Sequence, residues 1–168
     1  PTTGVITAHT AGFSRFYFVD ATGCQSDNSL PVTVNAPPTT SFTGPNSICQ
    51  GQNTFVSPTS GGTWSSSITG VATITNLGVI TGIAAGTSTL VFTHSGTTCS
   101  STPLTVTVAA KPIVSLTGPS PICIDSTTSV AVTPASAGVW TSQFPGIASV
   151  NSSGIVTGIS AGTSTFTF

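Results

Sequence analysis

Residues 78–92 read GVITGIAAGTSTLVF, residues 154–168 read GIVTGISAGTSTFTF, and a worn version, GVITAHTAGFSRFYF, occupies residues 4–18. A segment spelled three times at near-constant spacing means that one supersecondary unit is built three times, and this decides the fold before any single residue does. Gly4 to Gly78 is 74 residues, Gly78 to Gly154 is 76, Cys49 to Cys123 is 74, Cys24 to Cys99 is 75 and Trp64 to Trp140 is 76. The period divides the chain into residues 1–36 as the C-terminal part of a repeat, 37–110 as a complete repeat, and 111–168 as a repeat without its last strand. The chain starts and stops inside repeats, so the polypeptide is expected to continue on both sides. No signal peptide and no apolar stretch long enough to cross a bilayer is read within it.

Charge restricts the partners. The 168 residues include two Lys or Arg, three Asp and no Glu, so charged residues make up 3% of the chain. It offers no basic footprint for nucleic acid or an anionic membrane surface, and neither partner is expected. Mean hydropathy is +0.40, yet the apolar residues are short, β-branched and interleaved with Thr and Ser, as pleated strands require. Strong helix formers are scarce, which points to an all-β chain.

Within the complete repeat, seven strands are predicted at 39–44, 53–57, 62–67, 71–75, 78–83, 88–94 and 103–108. Turn residues separate them: Gly44-Pro45-Asn46, Pro58 with Gly61-Gly62, Asn76-Leu77-Gly78, Ala85-Gly86 and Ser95-Gly96. In the last strand Leu104, Val106 and Val108 share one face and Thr105 and Thr107 the other. Seven short strands with turns every eight to twelve residues predict tandem immunoglobulin-like β-sandwich repeats of about 75 residues. A sandwich is preferred to a seven-strand barrel because Trp64 and Trp140 stand where a sandwich places its central core aromatic.

The run WSSSITGVATITNLGVITGIAAGTST (64–89) and its partner WTSQFPGIASVNSSGIVTGISAGTST (140–165) resemble the group 2 bacterial immunoglobulin-like repeat. The first repeat departs from the pattern: Ala8 stands where the complete repeat has Gly82, and Phe13 and Arg15 where it has Thr87 and Thr89. Ser-Ile-Cys-Gln-Gly (47–51) and Thr-Thr-Cys (97–99), with Gly23-Cys24 as the fuller form of the second element, are similar to the cysteine pair in repeats of very large Bacteroidota surface proteins. Among these are type IX-secreted and gliding-motility adhesins. The resemblance implies an extracellular protein, attached to the outer membrane or secreted.

A 75-residue domain buries only about 60% of its unfolded surface, and closing a loop of about 50 residues by a disulfide adds about 4 kcal/mol in the chain-entropy model. Cystines also fit an oxidising compartment. Pairing Cys49 with Cys99 staples the complete repeat as its own folding unit and leaves Cys24 and Cys123 to partners beyond residues 1–168. Pairing Cys24 with Cys49 and Cys99 with Cys123 would bridge successive repeats instead.

Residues that could carry chemistry are sparse. His9 and His94 occupy comparable strand positions in different repeats and form no metal set. Asp20, Asp27 and Asp125 are too scattered for calcium, and no carboxylate accompanies either His to activate a serine. Lys111 sits in a linker beside Pro112, and residues 37–110 hold neither Lys nor acid, which leaves no Lys–Asn cross-link there. Neither catalysis nor a cofactor nor a metal is expected. Asn151-Ser152-Ser153 fits the N-glycosylation sequon, and Asp125-Ser126-Thr127 resembles the Bacteroidota O-glycosylation site, making Ser126 a candidate.

Function is then expected from architecture. The linkers Asn35-Ala36-Pro37-Pro38 and Ala109-Ala110-Lys111-Pro112 are short and proline-containing, which favours end-to-end stacking of units roughly 35–40 Å long. The reading is a structural and adhesive repeat region, the stalk of a cell-surface adhesin or filament. Its partners would be neighbouring repeats, surface glycans or other copies of the chain. The alternative is an accessory glycan-binding module of a secreted enzyme. Alternation buries Phe16 and Phe18 and leaves Tyr17 and Phe13 outward, and loss of glycan binding in Tyr17→Ala would favour that alternative.

Overall fold

The computed structural model describes residues 4–168, all of whose regular structure is β. The chain divides after Ala109 into two compact units. The first opens with β1 (Gly12–Ser14) and β2 (Val32–Val34), a two-stranded antiparallel pair. Phe16 and Phe18, expected in a core, are 39% and 66% exposed. The reason is that residues 4–36 supply no second sheet to cover them.

Residues 37–109 form a closed β-sandwich. Its strands are β3 (Ser41–Phe42), β4 (Ser47–Cys49), β5 (Asn53–Ser57), β6 (Gly62–Ser66), β7 (Ala72–Ile74), β8 (Val79–Gly82), β9 (Gly86–His94) and β10 (Leu104–Ala109). One sheet has the order β4-β10-β9-β6 and the other β3-β5-β8-β7. Every second side chain points inward, so Ile48, Val56, Trp64, Ile80, Leu90, Phe92, Val106 and Val108 make one core. Trp64 lies at a tilt on Phe92, ring centroids 5.3 Å apart. Its indole N–H donates to the Pro58 carbonyl at 2.8 Å, which satisfies the one polar atom the ring brings inside.

The structure has eight strands where seven are predicted, because the first is broken and changes sheets. β3 pairs with β5, and β4 runs parallel to β10 with Val108 opposite Ile48. Gly44-Pro45-Asn46, read as a turn, is the crossing. The Thr54 hydroxyl donates to the Pro45 carbonyl at 2.7 Å, and the Thr107 N–H to the Asn46 carbonyl at 2.9 Å, so the crossing backbone keeps partners.

The repeated fifteen residues acquire reasons here. Gly78 has φ +76°, and a Cβ on it would lie 2.3 Å from the Val56 carbonyl oxygen. The same geometry recurs at Gly154, against Val130. The Ser of AGTST is equally specific. Ser88 is buried, lies 2.8 Å from the Ser66 hydroxyl and accepts from the Ile68 N–H at 3.0 Å, while Ser66 donates to the Ala72 carbonyl at 2.6 Å. Ser164, Ser142 and Ala148 repeat that knot in the third repeat.

The second unit contains β11 (Ile113–Leu116), β12 (Thr127–Thr133), β13 (Thr141–Ser142), β14 (Ala148–Val150), β15 (Ile155–Gly158) and β16 (Phe166–Thr167). They pair as β11-β12-β15-β14 and β13-β16. Registers repeat with the sequence period: Ala148 faces Gly158 as Ala72 faces Gly82, and Thr141 faces Thr167 as Ser65 faces Val91. Trp140 meets Phe168 edge-on, centroids 5.0 Å apart, but is only half-buried.

Candidate functional site

Residues 111–168 carry no counterpart of β10, and the unit they form is open where β10 lies in the complete repeat. The opening is an apolar groove of about 970 Å3, with Leu116, Ile122, Ile124, Val130, Val156 and Phe166 in its walls. Val130 and Val156 are buried on its floor. Ile122 and Phe166 are half-buried, whereas their counterparts Ile48 and Leu90 are fully inside the closed sandwich. No acidic or basic side chain lines the groove. Thr128, also in its wall, has a buried hydroxyl without a hydrogen-bond partner, while its counterpart Thr54 is paired.

The cysteines require a correction. None of the four is bonded to another, and the strand topology opposes the expected Cys49–Cys99 pair. Cys49 ends β4 opposite Ala109, next to the Val108–Gly86 pair, so it lies at the Gly86 end of β9. Cys99 follows the other end, its carbonyl accepting from the His94 N–H at 3.0 Å. The whole of β9 separates them, about 26 Å at roughly 3.3 Å per residue, whereas a disulfide needs Cα atoms within about 7 Å. Sequence spacing gave the loop length, but strand topology placed its ends at opposite poles of the sandwich. Reduction by dithiothreitol is therefore expected to leave the melting temperature of residues 37–110 unchanged. A staple of about 4 kcal/mol would instead give a drop of roughly 16–32 °C.

The remaining candidates are local structure or exposed surface. His94 Nδ1 accepts the Gly96 and Thr97 N–H groups, both at 3.2 Å, and so closes the turn after β9. Asp20 Oδ1 accepts from the Thr22 hydroxyl at 2.6 Å and the Cys24 N–H at 2.9 Å, and these bonds hold its carboxyl below the usual carboxylate range. Asn151 Oδ1 is engaged by the Ser153 and Ile155 N–H groups at 3.0 and 2.9 Å. Ser126 is exposed in the turn before β12, its N–H fixed on the Cys123 carbonyl. Tyr17 and Phe13 are exposed. Among the described residues no three His, Cys, Asp or Glu side chains are gathered so as to hold a metal ion.

The opening falls where the sequence reading of residues 111–168 as a repeat without its last strand places it.

No known protein-family profile matches the chain, and no curated protein matches it. Among solved structures it is similar to domains 1–6 of the surface layer protein SbsC, at 16% identity and a TM-score of 0.40, covering 97% of this chain and 34% of that one. A second SbsC structure, rSbsC(31-844), shows 14% identity and a TM-score of 0.39, covering 99% and 34%. SbsC domains 4 and 5 show 17% identity and a TM-score of 0.33, covering 89% and 71%. This chain thus spans about a third of the length of the first two. Similarity at this level defines neither a shared fold nor a shared activity.

Proposed function

We propose that this chain is a non-catalytic structural repeat region of a cell-surface protein, a spacer that carries a binding region away from its anchor. One observation carries the reading: the complete sandwich takes the chain in at one pole and releases it at the other. Ser41 lies opposite Ser57 at the pole of Gly62 and His94, and Ala109 leaves beside Cys49 at the pole of Gly86. A repeat of this kind extends a polypeptide by its own length each time it recurs, without a return loop. The Thr- and Ser-rich surface with few charges stays hydrated with little response to salt or pH. The residue resemblances at 64–89, 140–165 and the cysteine elements support the finer reading, the stalk of a type IX-secreted adhesin at the outer membrane.

Antibodies raised against residues 37–110 are expected to label intact cells that produce the protein, and external protease is expected to remove that label. Labelling only after permeabilisation would overturn the reading.

A further inference from the structure

In the complete repeat the inward side chains of the sheet β4-β10-β9-β6 build the core, and the outward ones form a pattern that the fold does not use. Thr105 stands opposite Thr89 and Thr107 opposite Thr87, while Val106 and Val108 on the same strand point inward. Ser47 on β4 adds a hydroxyl beside Thr107. Ser67, just past β6, adds one beside Thr89, whose N–H it accepts at 3.0 Å. All six are exposed. They make two ranks of hydroxyl-bearing side chains, Ser47-Thr107-Thr87 and Thr105-Thr89-Ser67.

The backbone sets the spacing of this block. Opposed residues have Cβ atoms about 4.5–5.5 Å apart, and outward residues of one strand follow at roughly 6.5 Å. Thr is β-branched and stiff at χ1, so its methyl and hydroxyl hold their places without a partner. The block is also neutral, since residues 37–110 contain no Lys, Arg, Asp or Glu. Each ordinary occupant asks for something else. A small solute asks for a concave pocket, a protein partner for buried aromatic or Arg anchors, and nucleic acid for a basic surface. A stiff, neutral lattice of oxygens is matched by another neutral lattice of oxygens, and the faces of an ice crystal repeat their oxygens at spacings of this order. Twist between neighbouring strands, about 20–25°, breaks such a match over a wide sheet, which centres it on β9 and β10.

We propose that the outer face of β9 and β10 binds ice through Thr87, Thr89, Thr105 and Thr107. Water bonded to these hydroxyls and ranked between the methyl groups joins the crystal, and the face is held by many weak contacts made together. The strands already fix the side chains, so little ordering is left to oppose binding. The sequence confines the site to the complete repeat. In the first repeat Phe13 and Arg15 take the places of Thr87 and Thr89, a bulky ring and a charge that a flat lattice does not accept. Thr163 and Thr165 recur in the third, but the Thr165 hydroxyl donates to the Gln143 side chain. The inference does not depend on the spacer reading, since cell labelling tests that reading whether or not the face holds ice.

An ice crystal grown slowly in a solution of the 168-residue chain is expected to take the protein in and to develop flat faces, where an unbound solute is pushed ahead of the front. Thr89→Lys places a charged stem at the centre of the block. Thr107→Tyr, a residue type favoured in strands, raises a ring above its plane. Each variant is expected to enter the ice at least about fivefold less than the parent, with a melting temperature within about 4 °C of it. Thr73→Lys, also exposed but on the outer face of the other sheet, is expected to enter as the parent does. Exclusion of the parent chain from ice overturns the proposal. So does a folded Thr89→Lys or Thr107→Tyr chain taken in as freely as the parent, or an equal loss in Thr73→Lys. Retention on insoluble cellulose with no uptake into ice overturns it as well and assigns the face to a neutral polysaccharide.

Discussion

Replacing Phe92 with Ala in residues 37–110 is expected to remove a large share of the stability of the complete repeat. Phe92 is fully buried at the centre of the core, with its ring on Trp64. Truncating a buried Phe costs about 3–5 kcal/mol through lost transfer energy and the cavity left behind. A domain of this size has in total about 4–11 kcal/mol. Urea unfolding followed by Trp64 fluorescence is the measurement, and the midpoint is expected to fall by about a quarter or more with the slope unchanged. Phe55, on the outer face of the neighbouring sheet and exposed, is the comparison. Phe55→Ala is expected to cost less than about 1 kcal/mol. Equal effects at the two positions would show that the core is not where the two sheets place it.

The second large effect is expected at Gly78. Its φ of +76° lies in the left-handed region, and an added Cβ would come within 2.3 Å of the Val56 carbonyl oxygen, a backbone atom that cannot swing aside. Val56 also donates its N–H to the Gly78 carbonyl at 2.9 Å, so relieving the clash breaks a ladder hydrogen bond. Conformational strain and displacement together make Gly78→Ala cost about 2–4 kcal/mol. Gly70, with open space around its would-be Cβ, provides the contrast. Gly70→Ala is expected to leave the melting temperature of residues 37–110 within about 4 °C of the parent, since surface substitutions cost at most about 0.5 kcal/mol. A Gly78→Ala protein as stable as the parent would show that the turn after β7 tolerates another conformation.

Strand identity was legible in the sequence wherever alternation and turn residues agreed, as in Asn53–Ser57, Gly62–Ser66 and Leu104–Ala109. These signals are local, and a strand needs little else to declare itself. Pairing was not legible. The split of the first strand at Gly44-Pro45-Asn46 looks like any turn, because the sequence does not say which sheet a strand joins after a bend. The Cys49–Cys99 expectation failed for the same reason: loop length is a property of the chain, whereas the distance between loop ends is a property of the topology. Burial of Phe16 and Phe18 was inferred from alternation, which marks a face but not whether anything covers it. The groove is the converse case. Nothing in the chemistry of residues 111–168 announces a site, and it emerges only when they are laid against the repeat that has the additional strand.

The sheet change of the first strand has a mechanical consequence. β4 and β10 lie side by side and run in the same direction, one soon after the chain comes in at one pole and the other just before it leaves at the opposite pole. A pull on the two ends draws these neighbours past each other along their length. The bonds between Ser47–Cys49 and Thr107–Ala109 are then strained together, as in a lap joint, and not opened one after another as in a zip. Before the core could be exposed, that whole patch would have to slide at once. A repeat wired in this way resists tension with only three residue pairs at the joint and no covalent bridge.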